Sequence, residues 1–342
     1  PTSNLISTMD SQPLEQDVFI GGQWRTVLAG SMRLGGRGVY LIDVTNPNAP
    51  VPMWEFTNSP PAASPGTDCA AGARYCSHLG YTYDAVNIAR LSPSSTLGAN
   101  KWVALVSSGY FPTDTLDPAS NDPSAGQTSL LVIDLATGTL LREIKTSTAP
   151  EFVAGTTKTF GLSTPLVYDF GGDQTDNLAV AGDLAGNLWR FDLDQGKVNL
   201  MFQTYGNGGA TSVGDQPLAS MPIALTDRVT RGPIFIVGTG KLLGRPDRTN
   251  NIPMQAYYGI RDYGTQTSAG TYPVKVNQLI SQAITEDGNG VRTLTNNQVP
   301  LANKGWRIPL NVAAEKGERS QRRAFPLYTA NLAILYSVIP KG

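Results

Sequence analysis

Short runs of apolar residues alternate along the chain with clusters of Gly, Pro, Asn and Asp. The runs are rich in β-branched, aromatic and aliphatic side chains, and no long stretch follows the 3.6-residue period of an amphipathic helix. We therefore predict a mostly β fold. Its clearest strands are expected at residues 24–31, 38–44, 101–108, 129–135, 178–183, 187–193, 233–240, 256–262, 304–310 and 333–339.

Three of these runs end in the same way: an apolar strand is followed by Asp, one apolar residue and a polar turn. The three aspartates are Asp43, Asp134 and Asp192, and each copy follows another strand-like run that ends in small residues. Hairpins repeated in this way build the blades of a propeller. The pattern predicts an all-β fold, a modified β-propeller of repeated antiparallel hairpins with long inserted loops. Each Asp is expected to accept hydrogen bonds from turn amides rather than to ligate a metal.

The length of 342 residues fits one large domain or two ordinary ones. We predict a single propeller-like domain over residues 1–342, as part of a larger protein, with residue 1 at a processed or artificial edge. Residues 1–20 are expected to form an edge segment and residues 262–342 an irregular closing part. Residues 274–285 have spacing that fits either a short helix or an inserted strand.

The charge of the chain limits the classes of partner that we expect it to bind. Only 15% of residues are charged and the formal net charge is −1, so no overall field attracts nucleic acid or anionic lipid. The apolar fraction of 40% argues against wholesale disorder. Because no run of about 18 apolar residues occurs, we predict no membrane span. Because the net charge is close to zero, we predict no nucleic-acid partner.

The chain has one histidine, His78, and two cysteines, Cys69 and Cys76. This number excludes His-rich zinc sites, Cys-x-x-Cys centres and most thiol relays. The two cysteines lie in a loop of small residues, which favours a disulfide of an exported protein; two reduced thiols of a cytoplasmic protein are the alternative. We expect His78 to be a surface or packing residue, and a Ser-His-Asp triad has no support.

The densest polar cluster lies between the runs at residues 164–168 and 178–182. Counted from its first Asp, the odd positions of this loop are Asp169, Gly171, Asp173, Thr175 and Asn177. Hard oxygen ligands on alternate positions suit calcium, with a backbone carbonyl at the seventh position and Asp176 as an alternative to Asn177. Gly171 offers no side-chain oxygen, and the twelfth position is Val180 rather than Glu, so this is no EF-hand loop. An Asx-rich turn without metal is the alternative.

Several of these runs together resemble the C-terminal domain of the PilY/PilC proteins, the type IV pilus biogenesis factors and tip-associated adhesins of Gram-negative bacteria. The resemblance extends from about residue 21 to residue 262 and more loosely to the end. Its most specific part is the block A181-GDLAGNLWRFDL, and the other segments are residues 35–45, 54–56, 79–86, 101–110, 132–144, 161–170 and 235–243.

The resemblance implies a domain exported to the periplasm, the outer membrane and the pilus tip on the cell surface. It implies that the protein promotes pilus assembly by opposing retraction, with roles in adhesion, twitching motility and virulence. The implied partners are pilins and minor pilins, with a host or abiotic surface as a further ligand.

The resemblance also implies one calcium ion, held by a loop with Asp at position one, Asn or Asp at three, Asp at five, a backbone carbonyl at seven and Asp at nine. Asp169, Asp173 and the Thr175 carbonyl match this pattern, whereas Gly171 and Asn177 depart from it. The departures lower the charge of the loop unless Asp176 takes part, so weaker binding or loss of the metal is the alternative. If calcium binds, we expect the loop to act as a conformational switch.

Two other functions have some support in the sequence. The segment I133-DLATG also resembles propeller quinoprotein (PQQ-dependent) dehydrogenases, but these typically need adjacent cysteines, a general base and an axial calcium, and Cys69 and Cys76 are not adjacent. The other is a generic glycan-binding propeller.

The glycine-rich segment 206–216 fits a plain turn better than an anion-binding loop, because it lacks a following helix or a Lys-Ser pair. We predict a protein that is not an enzyme.

Overall fold

The computed structural model describes residues 9, 11–60, 66–83, 86–110, 128–244, 247–264 and 272–340. Within these ranges the regular structure consists of β-strands and a few three-residue 3-10 turns, which confirms the all-β prediction. The described residues include no helix long and apolar enough to cross a membrane.

The strands are numbered in chain order. They are β1 (Leu14–Ile20), β2 (Gln23–Ser31), β3 (Gly38–Asp43), β4 (Val51–Thr57), β5 (Val86–Arg90), β6 (Trp102–Ser107), β7 (Ser129–Asp134), β8 (Leu140–Lys145), β9 (Leu166–Tyr168), β10 (Leu178–Gly182), β11 (Asn187–Asp192), β12 (Lys197–Gln203), β13 (Ile223–Thr226), β14 (Pro233–Gly238), β15 (Ala256–Arg261), β16 (Ile280–Ser281), β17 (Ile284–Glu286), β18 (Arg292–Leu294), β19 (Gly305–Pro309), β20 (Arg319–Ser320), β21 (Phe325–Leu327), β22 (Leu332–Ile334) and β23 (Ser337–Val338). The 3-10 turns are Thr146–Thr148, Val276–Gln278, Ala314–Lys316 and Tyr328–Ala330.

Three sheets consist of four strands that are consecutive in the chain: β1 to β4, β5 to β8 and β9 to β12. In the first two of these sheets each strand pairs antiparallel with the next. A fourth sheet has the order β13-β14-β15-β19-β16, in which β16 joins β19 in parallel. Four-stranded antiparallel meanders are the unit of a propeller blade, so the repeated hairpins predicted from the sequence are present.

Burial follows the hydrophobic pattern of each strand. Every residue of β7, β11, β14 and β15 is buried, and these inner strands read as nearly continuous apolar runs. The edge strand β1 instead alternates exposed and covered residues along its first half. This difference explains why the inner strands were the easiest to predict.

The chain divides into two compact units. One contains Pro1–Ala149, Phe160–Ala179 and Phe191–Val198, and the other contains Pro150–Thr159, Val180–Arg190 and Asn199–Gly342. Apolar residues of β1 to β4 and β5 to β8 form a core in the first unit, with Leu41, Phe56 and Ile133 fully buried. The single-domain organisation stays a prediction.

Two segments have more structure than the sequence indicated. Residues 14–20 of the expected edge segment form β1, which pairs with β2 over its whole length. Residues 276–286 combine both alternatives considered for this region, a 3-10 turn at Val276–Gln278 followed by the short strands β16 and β17. Their polar residues obscured the strand pattern, because a short strand with one covered face carries few apolar positions.

Candidate functional site

The candidate site is the loop of residues 169–177 that joins β9 to β10. Gly172 (φ +68°) and Gln174 (φ +67°) both adopt the left-handed backbone conformation. Left-handed residues turn successive amides inwards, and short acidic side chains accept from such amides readily. The local sequence therefore folds the loop back over its own first residue.

Asp169 organises the loop through backbone amides. Its Oδ1 accepts hydrogen bonds from the amides of Gly172 at 2.6 Å and Asp173 at 3.3 Å, and its Oδ2 accepts one from the amide of Gln174 at 2.8 Å. Both carboxylate oxygens thus face the interior of the loop. This is the arrangement of an Asx-rich turn, and it also leaves lone pairs of both oxygens directed towards the loop.

Asp173 and Asn177 lie on the same side of the loop as Asp169. Asp173 Oδ1 accepts hydrogen bonds from the Thr175 amide at 2.9 Å and the Thr175 hydroxyl at 2.6 Å. These two bonds hold the pKa of the Asp173 carboxyl below its usual value, so it is ionised at neutral pH. Asn177 Oδ1 accepts from the amide of Phe170 at 2.8 Å, and this bond closes the loop.

Gly171 lies at the centre of these side chains. A Cβ atom built on Gly171 would lie 3.7 Å from Asp173 Cγ, 3.7 Å from Asn177 Nδ2 and 3.9 Å from Asp169 Oδ1. All three distances are ordinary van der Waals contacts, so the loop has room for a side chain at this position. Three residues predicted as ligands therefore lie around Gly171, but Asn177 turns its amide nitrogen towards this position, because its Oδ1 accepts the hydrogen bond from Phe170.

Asp176 points away from this centre. Its Oδ2 accepts a hydrogen bond from the Arg90 amide at 2.8 Å, and its own amide donates to the Arg90 carbonyl at 2.7 Å. Burial raises the pKa of the Asp176 carboxyl, opposed by the Arg90 amide and reinforced by Asp169 and Asp173. The side chain thus anchors the loop to β5, and this contact would have to break for Asp176 to ligate a metal.

The donor set of the loop fits a hard cation in part. Two carboxylates and one amide oxygen suit calcium, which takes six to eight oxygen ligands and accepts water among them. Among the described residues, no Lys or Arg forms an ion pair with Asp169 or Asp173. In the described part of the chain, the oxygens of the three carboxylates of this loop do not all lie within 4.8 Å of one another. The loop therefore has two carboxylates without an ion pair among the described residues, although the charge of Arg90 acts on Asp173, and its set of ligands is incomplete.

The aspartates that close the repeated strands serve a different purpose, as predicted. Asp134 Oδ1 accepts hydrogen bonds from the amides of Ala136 at 2.9 Å and Thr137 at 3.2 Å. Asp43 and Asp192 cap their turns in the same way. Asp227 caps a fourth turn of this kind, which was not predicted. The second oxygen of three of these aspartates also pairs with a cation, which was not predicted either. The pairs are Arg25 with Asp43, Lys101 with Asp134 and Arg261 with Asp227.

The block that carried the family resemblance surrounds a buried carboxylate. Asp183 is fully buried, and its Oδ2 accepts hydrogen bonds from Trp189 Nε1 at 2.8 Å, Asn187 Nδ2 at 2.7 Å and Thr159 Oγ1 at 2.9 Å. Burial raises the pKa of the Asp183 carboxyl to about 6, although these donors oppose the rise. No polar cluster in the sequence indicated this role, because the Gly-Asp-Leu segment is typical of a turn.

The two cysteines form the predicted disulfide, with Cα atoms 4.5 Å apart. His78 lies beside it, partly buried, with Nε2 and the Glu143 Oε1 2.7 Å apart. Burial would raise the pKa of Glu143, but the hydrogen bond and charge of His78 bring it below its usual value. The sulfur atoms and the His78 ring lie within 4.8 Å of one another, but the disulfide uses both sulfurs, so the group is no metal site as it stands.

Comparison with known proteins identifies relatives over most of the chain. A family model described as the PilY1 beta-propeller domain matches residues 7–297. The type IV pilus biogenesis factor PilY1 of Pseudomonas aeruginosa strain UCBPP-PA14 is 29% identical over 91% of this chain, and that of strain PAO1 is 34% identical over 78%. A PilY1 homolog of Xylella fastidiosa strain Temecula1 is 26% identical over 97%. None of these names is that of an enzyme.

A solved structure, the C-terminal domain of Pseudomonas aeruginosa PilY1, matches with a TM-score of 0.71 and 25% identity. The match covers 96% of this chain and 67% of the solved chain. In the three full-length relatives the matched region is 28%, 22% and 21% of the protein. This chain thus spans about a quarter of the length of these relatives.

Proposed function

Because the chain belongs to the PilY1 β-propeller domain family, we propose that it is a binding domain of a type IV pilus biogenesis factor, and that it acts without catalysis. In this proposal the domain supports pilus assembly by opposing retraction, and so affects twitching motility and surface attachment. Its partners are pilins and minor pilins, with a host or abiotic surface as a further ligand. It works outside the cytoplasm, at the outer membrane and the pilus tip, a location with which the Cys69–Cys76 disulfide agrees.

The second part of the proposal is that the loop of residues 169–177 binds one calcium ion. Asp169, Asp173 and Asn177 would hold the ion through side-chain oxygens, with the Thr175 carbonyl as a fourth ligand and water for the rest. The observation that carries this proposal is the convergence of these side chains around Gly171, without an ion pair among the described residues to compensate their charge. The bound cation would supply that compensating charge.

Calcium would act as a switch by ordering the loop. Without a cation the carboxylates of Asp169 and Asp173 repel each other, and hydrogen bonds within the loop together with the charge of Arg90 oppose the repulsion. The Asp176 anchor transmits the state of the loop to the amide and carbonyl of Arg90, the last residue of β5. Since a ligand can shift a conformational equilibrium only by binding the two states differently, the pilus partner must distinguish the ordered loop from the metal-free one.

We expect Asp173→Ala to abolish calcium binding and leave the fold intact, because it removes one of two charged ligands from an exposed loop. Gly171→Asp should instead tighten binding by about tenfold, since it adds a charged ligand where a side chain fits. Asp287→Ala is the matched control: Asp287 also accepts two turn amides, but in the β17–β18 hairpin. Calorimetric titration with calcium measures all four proteins. Identical heats for wild type and Asp173→Ala would refute the site.

The cellular role is tested separately from the metal site. In cells that carry Asp173→Ala in the full-length protein, surface pili and twitching should change with calcium concentration differently from wild type, while export of the protein is unchanged. The Asp287→Ala strain should behave as wild type. If the Asp173→Ala strain assembles and retracts pili as wild type does at every calcium concentration, the switch proposal fails even where calorimetry detects the metal.

A further inference from the structure

The last described segment of the chain, residues 324–340, contains no Asp, Glu, Lys or Arg. It forms the hairpin of β21 and β22, then β23. The hairpin register pairs Phe325 with Ile334 and Leu327 with Leu332. Because side chains alternate between the faces of a strand, these four apolar residues share one face of the hairpin.

That face is open to solvent. The exposed fractions are 52% for Phe325, 37% for Leu327, 52% for Leu332 and 41% for Ile334. Tyr328 and Tyr336, at 68% and 46%, extend the same apolar region of the chain. Large contiguous apolar surfaces are uncommon on soluble proteins and indicate a place where another surface packs.

The opposite face is apolar as well, and it is already covered. Ala324, Ala333 and Leu335 pack against the core cluster formed by β13 and β14. From residue 332 to 336 the chain therefore alternates outward and inward apolar residues. A sheet with one solvated face has polar residues on that face, whereas apolar residues on both faces are typical of a strand covered on both sides.

The hairpin is held in place by specific bonds. Asn331 Nδ2 donates to the Thr226 carbonyl at 2.8 Å, and the Thr226 amide donates to Asn331 Oδ1 at 3.1 Å. The Tyr257 hydroxyl also donates to the Tyr336 carbonyl. These contacts fix the orientation of the open face, so it is a prepared surface rather than a loose end.

We propose that this open face packs against an apolar surface from another part of the same polypeptide, outside these 342 residues. One comparison favours this occupant over a second copy or a separate protein. The match to the solved PilY1 C-terminal domain covers 96% of this chain but only 67% of the solved chain, so about a third of that domain is further polypeptide. The surface that packs on the hairpin is expected to be apolar, because the hairpin offers four aliphatic or aromatic side chains and no charge to a partner.

The test places a photo-crosslinker on the face in the full-length protein. Phe325 is replaced by p-benzoylphenylalanine, a conservative change for an aromatic residue, and Leu332 is replaced in a second variant. Val291 serves as the matched control, since it is apolar, 59% exposed and in the turn between β17 and β18. After irradiation of monomeric protein, mass spectrometry identifies the cross-linked peptides.

We expect both hairpin variants to cross-link to a peptide of the same molecule that lies outside residues 1–342, and the Val291 variant not to do so. A cross-link between two molecules would instead assign the face to a second copy and overturn the proposal. Hairpin variants that cross-link no more than the Val291 control would overturn it as well, because the face would then be open in the whole protein.

Discussion

Replacing Trp189 with Ala is expected to lower the free energy of unfolding by about 3–5 kcal/mol, the usual cost of removing a buried aromatic side chain. Trp189 is fully buried in β11, and its Nε1 is one of three side-chain donors to Asp183 Oδ2. The substitution therefore leaves a large cavity and weakens the solvation of a buried carboxylate, and both effects destabilise the fold.

Two controls separate these effects. Trp189→Phe keeps most of the volume and removes the donor, so it should cost less than Trp189→Ala. Trp24→Ala removes a Trp that is 65% exposed, and should change stability by no more than about 0.5 kcal/mol. Urea unfolding followed by circular dichroism measures the three variants. Equal stability of Trp189→Ala and Trp24→Ala would contradict the role assigned to this block.

The sequence was sufficient to predict the inner strands and their turns. The runs that became β7 and β14 are mostly apolar because both of their faces are covered, so their pattern is visible without neighbours. Edge strands are different. In β8 the residues Arg142 and Lys145 are polar, because an edge strand has a more solvated face, and no run was predicted there.

The sequence was enough to predict which residues belong to the candidate site, but it did not show which contacts hold the loop in place. Alternation from Asp169 identified the side chains that converge around Gly171, because the loop is short and its contacts are local. The anchoring of Asp176 on Arg90 was not predictable, since these residues lie 86 positions apart in the sequence and meet only when β5 is in place. Long-range pairing of this kind leaves no local pattern.

Comparison of the acidic turns supports a separate role for the loop of residues 169–177. In Asp43, Asp134 and Asp227 one oxygen caps a turn and the other pairs with a cation, namely that of Arg25, Lys101 and Arg261 respectively. In Asp169 both oxygens accept turn amides instead. Asp43, Asp134 and Asp227 are thus each paired with a cation of the protein, whereas neither Asp192 nor Asp169 has an ion pair among the described residues.

Stability should also depend on pH through Asp183. Its carboxyl has a pKa raised by burial from 3.8 to about 6 in the folded protein. A group whose pKa is higher in the folded state stabilises the fold fully at pH values below its unfolded pKa, and this contribution is lost as pH rises through the folded pKa. The difference between 3.8 and about 6 corresponds to about 3 kcal/mol. Because pH 4 lies just above the unfolded pKa, we expect this contribution to fall by about 2 kcal/mol between pH 4 and pH 7.

The measurement compares wild type with Asp183→Asn by urea unfolding at several pH values from 4 to 7. The variant cannot ionise, so the difference in unfolding free energy between the two proteins should change by about 2 kcal/mol over this range, in favour of wild type at low pH. Asp173→Asn is the control, because hydrogen bonds from Thr175 hold the pKa of the Asp173 carboxyl below its usual value, so this group stabilises the folded state in the opposite direction of pH from Asp183. A constant difference between wild type and Asp183→Asn would show that Asp183 does not change its ionisation between these pH values. In that case the hydrogen bonds from Trp189, Asn187 and Thr159 would outweigh the effect of burial, and the carboxylate would be charged in the core throughout.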